Sequence, residues 1–359
     1  MSHGLGFLGT MLVGACLAMT ARAGPVGERH LTTTDATAAL RDAGHKPTVR
    51  VTVWYPAAPG SQEARIDLGP EGHPFFIVGA VAEDAPFVDA RPRPVILFSH
   101  GFGGTARMMG WFGVPLARAG YVVVAVDHPG NNGLDKMTAA AAIMAWDRPE
   151  DLRAALAAVE ADPAVGPHID ARRVGVSGFS AGGFTSLVSA GAKVDMNRFL
   201  AFCRAHPVDG VCAPQRELAL SLDDYQRTLS SPELAAEVAH AGDDHSIPDV
   251  RAAFAIAPAI VQGLPPDGLA RMKVPVAIIL GDADPVAPPD TNGLVAARAI
   301  PHAELKVLPG VGHYDFLSTC TAAGKARVPV CDAKVSQDDS HQAAIDMALA
   351  FFKRTLGSP

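Results

Sequence analysis

The chain has 359 residues, 48% of them hydrophobic and 19% charged, which is enough apolar material for one large domain or two ordinary ones. Its formal net charge is −7, and no run of lysine or arginine is present. A basic nucleic-acid-binding surface is therefore not predicted, and we expect no nucleic-acid partner.

The first 23 residues have the pattern of an export signal. Leu5 to Met19 is apolar and glycine-rich, and Ala21-Arg22-Ala23 is an A-x-A cleavage site, although no lysine or arginine precedes the apolar run. Lipidation at Cys16, after a loose lipobox, is the alternative. Because the run is short for a membrane span, we expect a secreted or periplasmic protein with a mature chain of residues 24–359.

Seven short apolar runs rich in valine and isoleucine predict strands, and the middle ones are apolar without alternation, as in parallel strands buried on both faces. In chain order they are Val49–Tyr55, Val95–Phe98, Tyr121–Val126, Val174–Val176, Ala253–Ala257, Val276–Leu280 and Leu305–Leu308. Helical patterns lie between and after them, at Thr105–Ala119, Arg148–Ala161, Ala181–Ala190, Thr291–Ala299 and Gln337–Leu356. This alternation predicts an α/β fold with a mostly parallel sheet and helices on both faces.

One segment interrupts the alternation. Residues 195–249 contain no strand pattern, but they include the helix-prone stretches Gln215–Leu229 and Pro232–His240. The segment also holds ten carboxylates and four arginines. We predict that it is a helical cap inserted over the carboxyl edge of the sheet, with an acidic, solvated surface or an acidic rim that disfavours anionic substrates.

Four of the five cysteines follow the signal and form two pairs that are close in sequence. In an oxidising compartment the simplest pairing is Cys203 with Cys212 and Cys320 with Cys331, although four cysteines allow three pairings. No C-x-x-C is present, so a metal site at the cysteines is not predicted. His240 and His245 lie five residues apart across a glycine, and they too give no metal prediction.

The pattern G-x-S-x-G occurs at Gly178 to Gly182, between a predicted strand and a predicted helix. A serine on such a sharp turn exposes its Oγ, and the small residues around it let the backbone turn without a Cβ clash. Ser180 is therefore the candidate nucleophile. Its neighbour Ala181 supplies a backbone N–H to a candidate oxyanion hole, and Phe102, in the glycine-rich turn after an earlier strand, supplies the other.

The candidate acid and base follow two later strands. A carboxylate at the end of a late strand can hold a histidine tautomer, and Asp284 is the preferred acid, with Asp282 as the alternative. His313, in a glycine-flanked loop 29 residues after Asp284, is the candidate base. His100 is interpreted as structural, and Asp127 with His128 as residues that line the pocket without taking part in chemistry.

The order Ser180, Asp284, His313 is that of the α/β-hydrolase fold. The chain resembles serine esterases of this superfamily, and within it the predicted dienelactone hydrolases and platelet-activating-factor acetylhydrolase-like proteins. The resemblance covers roughly residues 49–316, and dienelactone hydrolases proper have a cysteine where this chain has Ser180. It is carried by Val51–Pro56, Phe98–Gly104, Asp127–Asn131, the turn at Ser180, Gly281–Pro288 and Gly312-His313.

These residues predict an exported carboxylic-ester hydrolase that forms an acyl-enzyme on Ser180 and requires neither metal nor organic cofactor. The expected partner is a small-molecule or lipid-like ester. The same triad also serves amidases, acyltransferases and lipases, and a non-catalytic binding protein on a hydrolase scaffold is an alternative of another class. Acyl and alcohol specificity and oligomeric state stay open at this point.

Overall fold

The computed structural model describes residue 1 and residues 24–359. The predicted signal segment, with its cleavage site after Ala23 and the alternative lipidation site Cys16, therefore lies outside the described residues apart from Met1. Within the described part, no helix is both long and apolar enough to cross a membrane.

The described residues form eleven strands. They are β1 (Val26–Thr34), β2 (Thr48–Pro56), β3 (Ala64–Leu68), β4 (Phe76–Glu83), β5 (Arg93–Ser99), β6 (Val122–Asp127), β7 (Ile169–Phe179), β8 (Val250–Ile256), β9 (Val276–Gly281), β10 (Glu304–Leu308) and β11 (Thr319–Cys320). The sheet order is β10-β9-β8-β7-β5-β6-β2-β1-β4-β11, and β3 pairs with β4.

Strands β5 to β10 are parallel to one another, so their carboxyl ends meet at one edge of the sheet. Strand β2 runs antiparallel to β6 and begins the second half of the sheet. In the parallel half, Ser99 of β5 is in register with Gly178 of β7. This register places the turns that follow β5 and β7 side by side.

Twelve α-helices are present in the described part. They are α1 (Ala38–Arg41), α2 (Gly110–Arg118), α3 (Ala139–Ile143), α4 (Arg148–Ala161), α5 (Ala181–Ser189), α6 (Met196–Ala205), α7 (Leu222–Leu229), α8 (Ala235–Ala239), α9 (Pro266–Leu269), α10 (Gly293–Ala299), α11 (Ala322–Arg327) and α12 (Gln337–Leu356).

The core lies on both faces of the sheet. On one face, side chains of α4 and α5 such as Leu152 and Phe184 pack against the strands. On the other, Phe112 of α2 and Phe352 of α12 do the same. Strands β6 and β9 are buried along their whole length, which explains why their sequences are apolar without alternation.

All seven predicted strands are present, most of them longer than predicted, but β1, β3, β4 and β11 were not predicted. These four belong to the mainly antiparallel half of the sheet, where one side of a strand faces solvent. In β1, for example, half-buried and exposed residues alternate from Arg29 onward, and the strand contains a glycine and two charged residues. Such a strand lacks the continuous apolar run that identifies a buried parallel strand.

Two predicted helices begin later than the sequence pattern indicates. The helix predicted from Thr105 opens with a 3₁₀ turn at Arg107–Met109 and continues as α2. The helix predicted from Gln215 begins only at Leu222, because Ser221 and Asp224 form a capping box that fixes its first turn. The Pro232–His240 stretch is a 3₁₀ turn at Pro232–Leu234 followed by α8.

Residues 195–249 carry α6, α7 and α8 and no strand. Helix α6, which was not predicted, places Phe199 and Leu200 in the core on the α5 face. The segment is tied internally by a disulfide between Cys203 and Cys212, and a second disulfide joins Cys320 to Cys331. The cysteine pairing in the structure is therefore the one that the sequence predicted among the three possible pairings.

Candidate active site

The backbone at Ser180 has φ of 59° and ψ of −118°, a conformation that non-glycine residues rarely adopt. It is held on both sides, because the Ser180 N–H donates to the Ile256 carbonyl at 2.9 Å and the Ser180 carbonyl accepts from Ala259 at 3.2 Å. Gly178 and Gly182 make the turn possible. A Cβ on Gly178 would lie 2.3 Å from the Gly182 carbonyl oxygen, and one on Gly182 only 1.8 Å from that of Ser99.

The ring of His313 lies between Ser180 and Asp284. Its Nε2 is 2.8 Å from Ser180 Oγ, and its Nδ1 is 2.6 Å from Asp284 Oδ2. The second oxygen of Asp284 accepts the N–H groups of Val286 and Ala287 at 2.8 Å each. These bonds fix the carboxylate, so Nδ1 carries the hydrogen and Nε2 is free to accept one from Ser180.

The structure separates the two candidate acids. Asp282 is exposed, and its Oδ1 accepts the Gly310 N–H at 2.6 Å, so it stabilises the turn between β10 and His313. Asp284 is buried together with Ser180 and His313. Of the two, Asp284 is the carboxylate that contacts His313.

The turn after β5 carries one of the two candidate oxyanion donors. Among the described residues, the backbone N–H groups of Phe102 and Ala181 have no hydrogen-bond acceptor. The neighbouring Gly103 N–H donates to Asn131 Oδ1 at 2.9 Å, and the Gly104 N–H to the Gly101 carbonyl at 3.1 Å. The loop is therefore anchored around Phe102 while the Phe102 N–H stays available.

His100 holds the peptide that carries this N–H. Its Nε2 accepts the backbone N–H of His128 at 3.1 Å, so its Nδ1 carries the hydrogen and donates to the Gly101 carbonyl at 2.6 Å. In a trans peptide the C=O and the next N–H point in opposite directions. Fixing the Gly101 carbonyl on one side therefore directs the Phe102 N–H to the other.

A buried polar network lies beneath this loop. His128 Nδ1 donates to Asp151 at 2.7 Å, its Nε2 accepts from Ser99 Oγ at 2.8 Å, and Arg41 donates to both oxygens of Asp151 at 2.8 Å. Burial, reinforced by Arg148 and Arg41, holds the pKa of His128 well below its usual value. Burial likewise lowers the pKa of His100, so both rings are neutral.

Two cavities meet at Ser180. The His313-side cavity has an empty volume of about 650 Å³ and is lined by Phe76, Met108, Tyr314, Leu317 and Val330, besides Ser180 and His313. The Ala181-side cavity has an empty volume of about 430 Å³ and is lined by Ala142, Ala181, Phe199, Tyr225 and Ile260, besides Ser180. Burial, with Glu217 nearby, raises the pKa of Tyr314 to about 12.

The model of the alpha/beta hydrolase family matches residues 96–323, which include the Ser180 turn, Asp284 and His313. The chain belongs to the alpha/beta hydrolase family. The fold predicted from its sequence is thereby confirmed. This α/β hydrolase is also similar in structure to a ferulic acid esterase from Streptomyces cinnamoneus, with a TM-score of 0.58 and 20% identity over 94% of this chain and 92% of that chain. At this identity the likeness concerns the fold. No curated protein matches the chain significantly.

One site prediction is wrong. His128 does not line the pocket of the hydrolase, because it is fully buried in the network beneath the oxyanion loop. Asp127 borders a different cavity, lined also by Arg50 and Arg107, and its Oδ1 accepts the Ala106 N–H.

The two histidines that lie five residues apart have other partners. His240 contacts Asp243, and His245 contacts the His240 carbonyl. Within the described residues no cluster of His, Cys, Asp or Glu has a metal-binding arrangement.

Several cleft residues were missed by sequence reasoning. Phe76 comes from the unpredicted β4, Gln215 and Glu217 from an irregular part of the 195–249 segment, and Val330 from the Cys320–Cys331 loop. They carry no local motif, because they reach the site through long-range packing. Ile260 was missed as well, because the feature that marks it, a positive φ of 59°, is visible only in the structure.

Proposed function

We propose that this α/β hydrolase is an exported serine esterase that cleaves carboxylic esters through an acyl-enzyme on Ser180. The observation that supports the proposal most strongly is the position of His313, hydrogen-bonded to Ser180 Oγ at 2.8 Å and to Asp284 at 2.6 Å. Two successive hydrogen bonds thus link the nucleophile, the base and the residue that orients the base, and Ser180 lies where two cavities meet.

In the first half of the reaction, Ser180 Oγ attacks the ester carbonyl while His313 Nε2 takes the hydroxyl proton. The negative charge that develops on the carbonyl oxygen is stabilised by the N–H groups of Phe102 and Ala181. Asp284 holds the Nδ1–H of His313 and stabilises the imidazolium. The tetrahedral intermediate then collapses, and His313 donates the proton to the departing alcohol oxygen.

In the second half, water enters the place of the alcohol and His313 takes one of its protons. The hydroxide attacks the acyl carbon, the same two N–H groups stabilise the oxyanion, and Ser180 leaves with the proton from His313. Ser180, Asp284 and His313 are all buried, with at most 6% of each exposed, so these charges interact in a medium of lower dielectric constant than water.

The proposal is tested with Ser180→Ala and a series of p-nitrophenyl esters, together with labelling by a fluorophosphonate probe. Ser177→Ala is the matched control, since Ser177 is equally buried, lies three residues earlier on β7, and has an Oγ without a partner among the described residues. We expect the wild type and the control to be labelled and active. Turnover that survives in purified Ser180→Ala would contradict the acyl-enzyme mechanism.

The substrate class is proposed as small-molecule or lipid-like esters. Two observations set the first panel of substrates. The motifs resemble those of dienelactone hydrolases and platelet-activating-factor acetylhydrolase-like proteins, which adds lactones and short-chain phospholipid esters. The fold is similar to that of a ferulic acid esterase, which adds feruloyl esters. Added alcohol or amine acceptors, and a p-nitroanilide of the best acyl group, separate hydrolysis of esters from acyl transfer and amide hydrolysis.

Export is proposed from the signal pattern in residues 1–23, and two disulfides in the folded chain support it. The mature protein is expected to begin at Gly24. Mass spectrometry of the protein recovered from the periplasm or the medium distinguishes this start from a lipidated Cys16. An uncleaved chain in the cytoplasm would contradict export.

A further inference from the structure

The two cavities at Ser180 differ in which catalytic group they include. The His313-side cavity contains His313 and not Ala181, and the Ala181-side cavity contains Ala181 and not His313. Phe102, Gln215 and Val286 border both cavities and therefore stand between them. Gln215 is anchored there by its Nε2, which donates to the carbonyls of Gly210 at 2.9 Å and Ala213 at 2.7 Å.

The chemistry of ester cleavage assigns a side to each half of the substrate. The departing alcohol oxygen must come within hydrogen-bond distance of His313 Nε2 to receive its proton. The alcohol group consequently extends into the cavity that His313 lines, and the acyl substituent extends the other way. We propose, on the basis of the Ser180 mechanism above, that the Ala181-side cavity takes the acyl group, that the His313-side cavity takes the alcohol, and that Ile260 limits the size of the acyl group.

The two cavities predict different demands on the substrate. The acyl cavity is the smaller one, and apart from Ser180 and Gln215 its walls are apolar or aromatic, with Ala142 and Phe199 among them. The alcohol cavity is larger and mostly apolar, with Phe76, Met108 and Val330, but the exposed carboxylate of Glu217 lies at its edge. Short acyl groups on bulkier, apolar and uncharged alcohols fit this arrangement, and anionic alcohol groups are disfavoured.

Ile260 occupies its place at the cost of an unusual backbone conformation. It has φ of 59° and ψ of 16°, in the left-handed region, where a β-branched side chain is a true outlier. The turn is closed by the Gly263 N–H, which donates to the Ile260 carbonyl at 2.9 Å. The residue before it, Ala259, donates its N–H to the Ser180 carbonyl. The strained side chain is thus held next to the nucleophile, and strain of this kind is concentrated at functional sites.

Ile260→Gly tests the assignment, because glycine adopts the left-handed conformation readily and removes the side chain from the cavity wall. Val330→Ala is the matched control in the alcohol cavity, since Val330 is also half-buried and aliphatic and lies on the other side of Ser180. Each variant is assayed with two series, p-nitrophenyl esters from acetate to octanoate, and butyrate esters from methyl to 2-naphthylmethyl. Circular dichroism and thermal unfolding verify that each variant is folded.

We expect Ile260→Gly to raise the octanoate-to-butyrate ratio of kcat/KM about tenfold or more, since each methylene that gains a place in an apolar cavity is worth roughly fourfold. Val330→Ala is expected to leave this acyl ratio within about twofold and to change the naphthylmethyl-to-methyl ratio by about threefold or more, on the same principle. Ala142→Val narrows the same acyl cavity, which Ala142 also lines, and it is expected to shift the acyl preference toward acetate.

The assignment is overturned if Ile260→Gly changes the alcohol series and Val330→Ala the acyl series, or if neither ratio depends on Ile260 or Ala142. Failure of the proposed function has a different signature, because the wild type would then hydrolyse no ester of either series and Ser180 would not react with the fluorophosphonate probe.

Discussion

The carbonyl oxygen of Ser99 lies where a side chain on Gly182 would have to stand, 1.8 Å from the position of a Cβ. This contact brings the end of β5, which leads into the oxyanion loop, against the first turn of α5, which follows Ser180. The distance between the candidate nucleophile Ser180 and the Phe102 loop is therefore set by backbone packing directly against a glycine.

Gly182→Ala is accordingly expected to push these two backbones apart. Backbone cannot move aside as a flexible side chain can, so we expect a loss of about 2–3 kcal/mol or more in unfolding free energy, together with a large loss of kcat. Gly242→Ala is the control, because the nearest atom to its Cβ is 3.5 Å away. It is expected to change stability by less than about 0.5 kcal/mol. Denaturant unfolding and ester assays measure both, and equal effects of the two changes would contradict the argument.

Asp284→Asn and Asp282→Asn form a matched pair. The first variant keeps an oxygen for the Val286 and Ala287 N–H groups, but a neutral amide no longer stabilises the His313 imidazolium, so kcat is expected to fall by about 10³–10⁴ with KM little changed. The second variant keeps an oxygen for the N–H group of the turn after β10, and its kcat should stay within about threefold of the wild type. Steady-state kinetics on one ester decide the matter. The reverse result would make Asp282 the acid.

His100→Leu is expected to lower kcat by about tenfold to a hundredfold with a small effect on KM. The Gly101 carbonyl then keeps only the bond from the Gly104 N–H, so the Phe102 N–H is held less firmly and the oxyanion loses part of a donor. In His100→Asn the side-chain amide can donate to the Gly101 carbonyl again, so most of the loss in kcat should be restored. A purely structural role for His100 would instead lower thermal stability in both variants without this difference in kcat.

Asp147 gives a prediction about pH. Asp147 is buried at the start of α4, near Arg41. Its carboxylate oxygens have no hydrogen-bond partner among the described residues. Burial, with Glu237 nearby, raises the pKa of Asp147 to about 8. The folded protein thus keeps this proton up to about pH 8, while the unfolded chain loses it near pH 4. The contribution of Asp147 to stability is complete below pH 4 and is lost as the pH rises to about 8.

Asp147→Asn removes this dependence. The stability of the variant relative to the wild type is expected to rise with pH between 5 and 7.5, by up to about 1.4 kcal/mol per pH unit. The exposed Asp290→Asn is the control, and its difference from the wild type should be flat over the same range. Urea unfolding at several pH values measures both. A flat difference for Asp147→Asn over this range would show that the carboxyl is already ionised in the folded protein.

The parts of the fold that sequence reasoning recovered are those with a local physical cause. Strands β5 to β9 are buried on both faces, and an uninterrupted apolar run is the direct consequence. Strand β1, in the mainly antiparallel half of the sheet, gains its stability from its partners β2 and β4, and its sequence mixes polar and apolar residues. The start of α7 differs from the predicted Gln215 for another reason, because the capping box of Ser221 and Asp224 fixes the first turn of this helix and helix propensity does not.

The same distinction holds at the site. Ser180 and the two glycines around it are neighbours in sequence, and the turn they form has steric requirements that only small residues meet, so the chain itself indicates the candidate nucleophile. Asp284 and His313 follow strands whose ends share one edge, and this too follows from the order of the elements. Tertiary structure decided between Asp284 and Asp282, placed His128 beneath the loop, and brought Ile260, Gln215 and Val330 to the walls of the cleft. Those outcomes depend on contacts between distant segments, whose free energies no short stretch of residues contains.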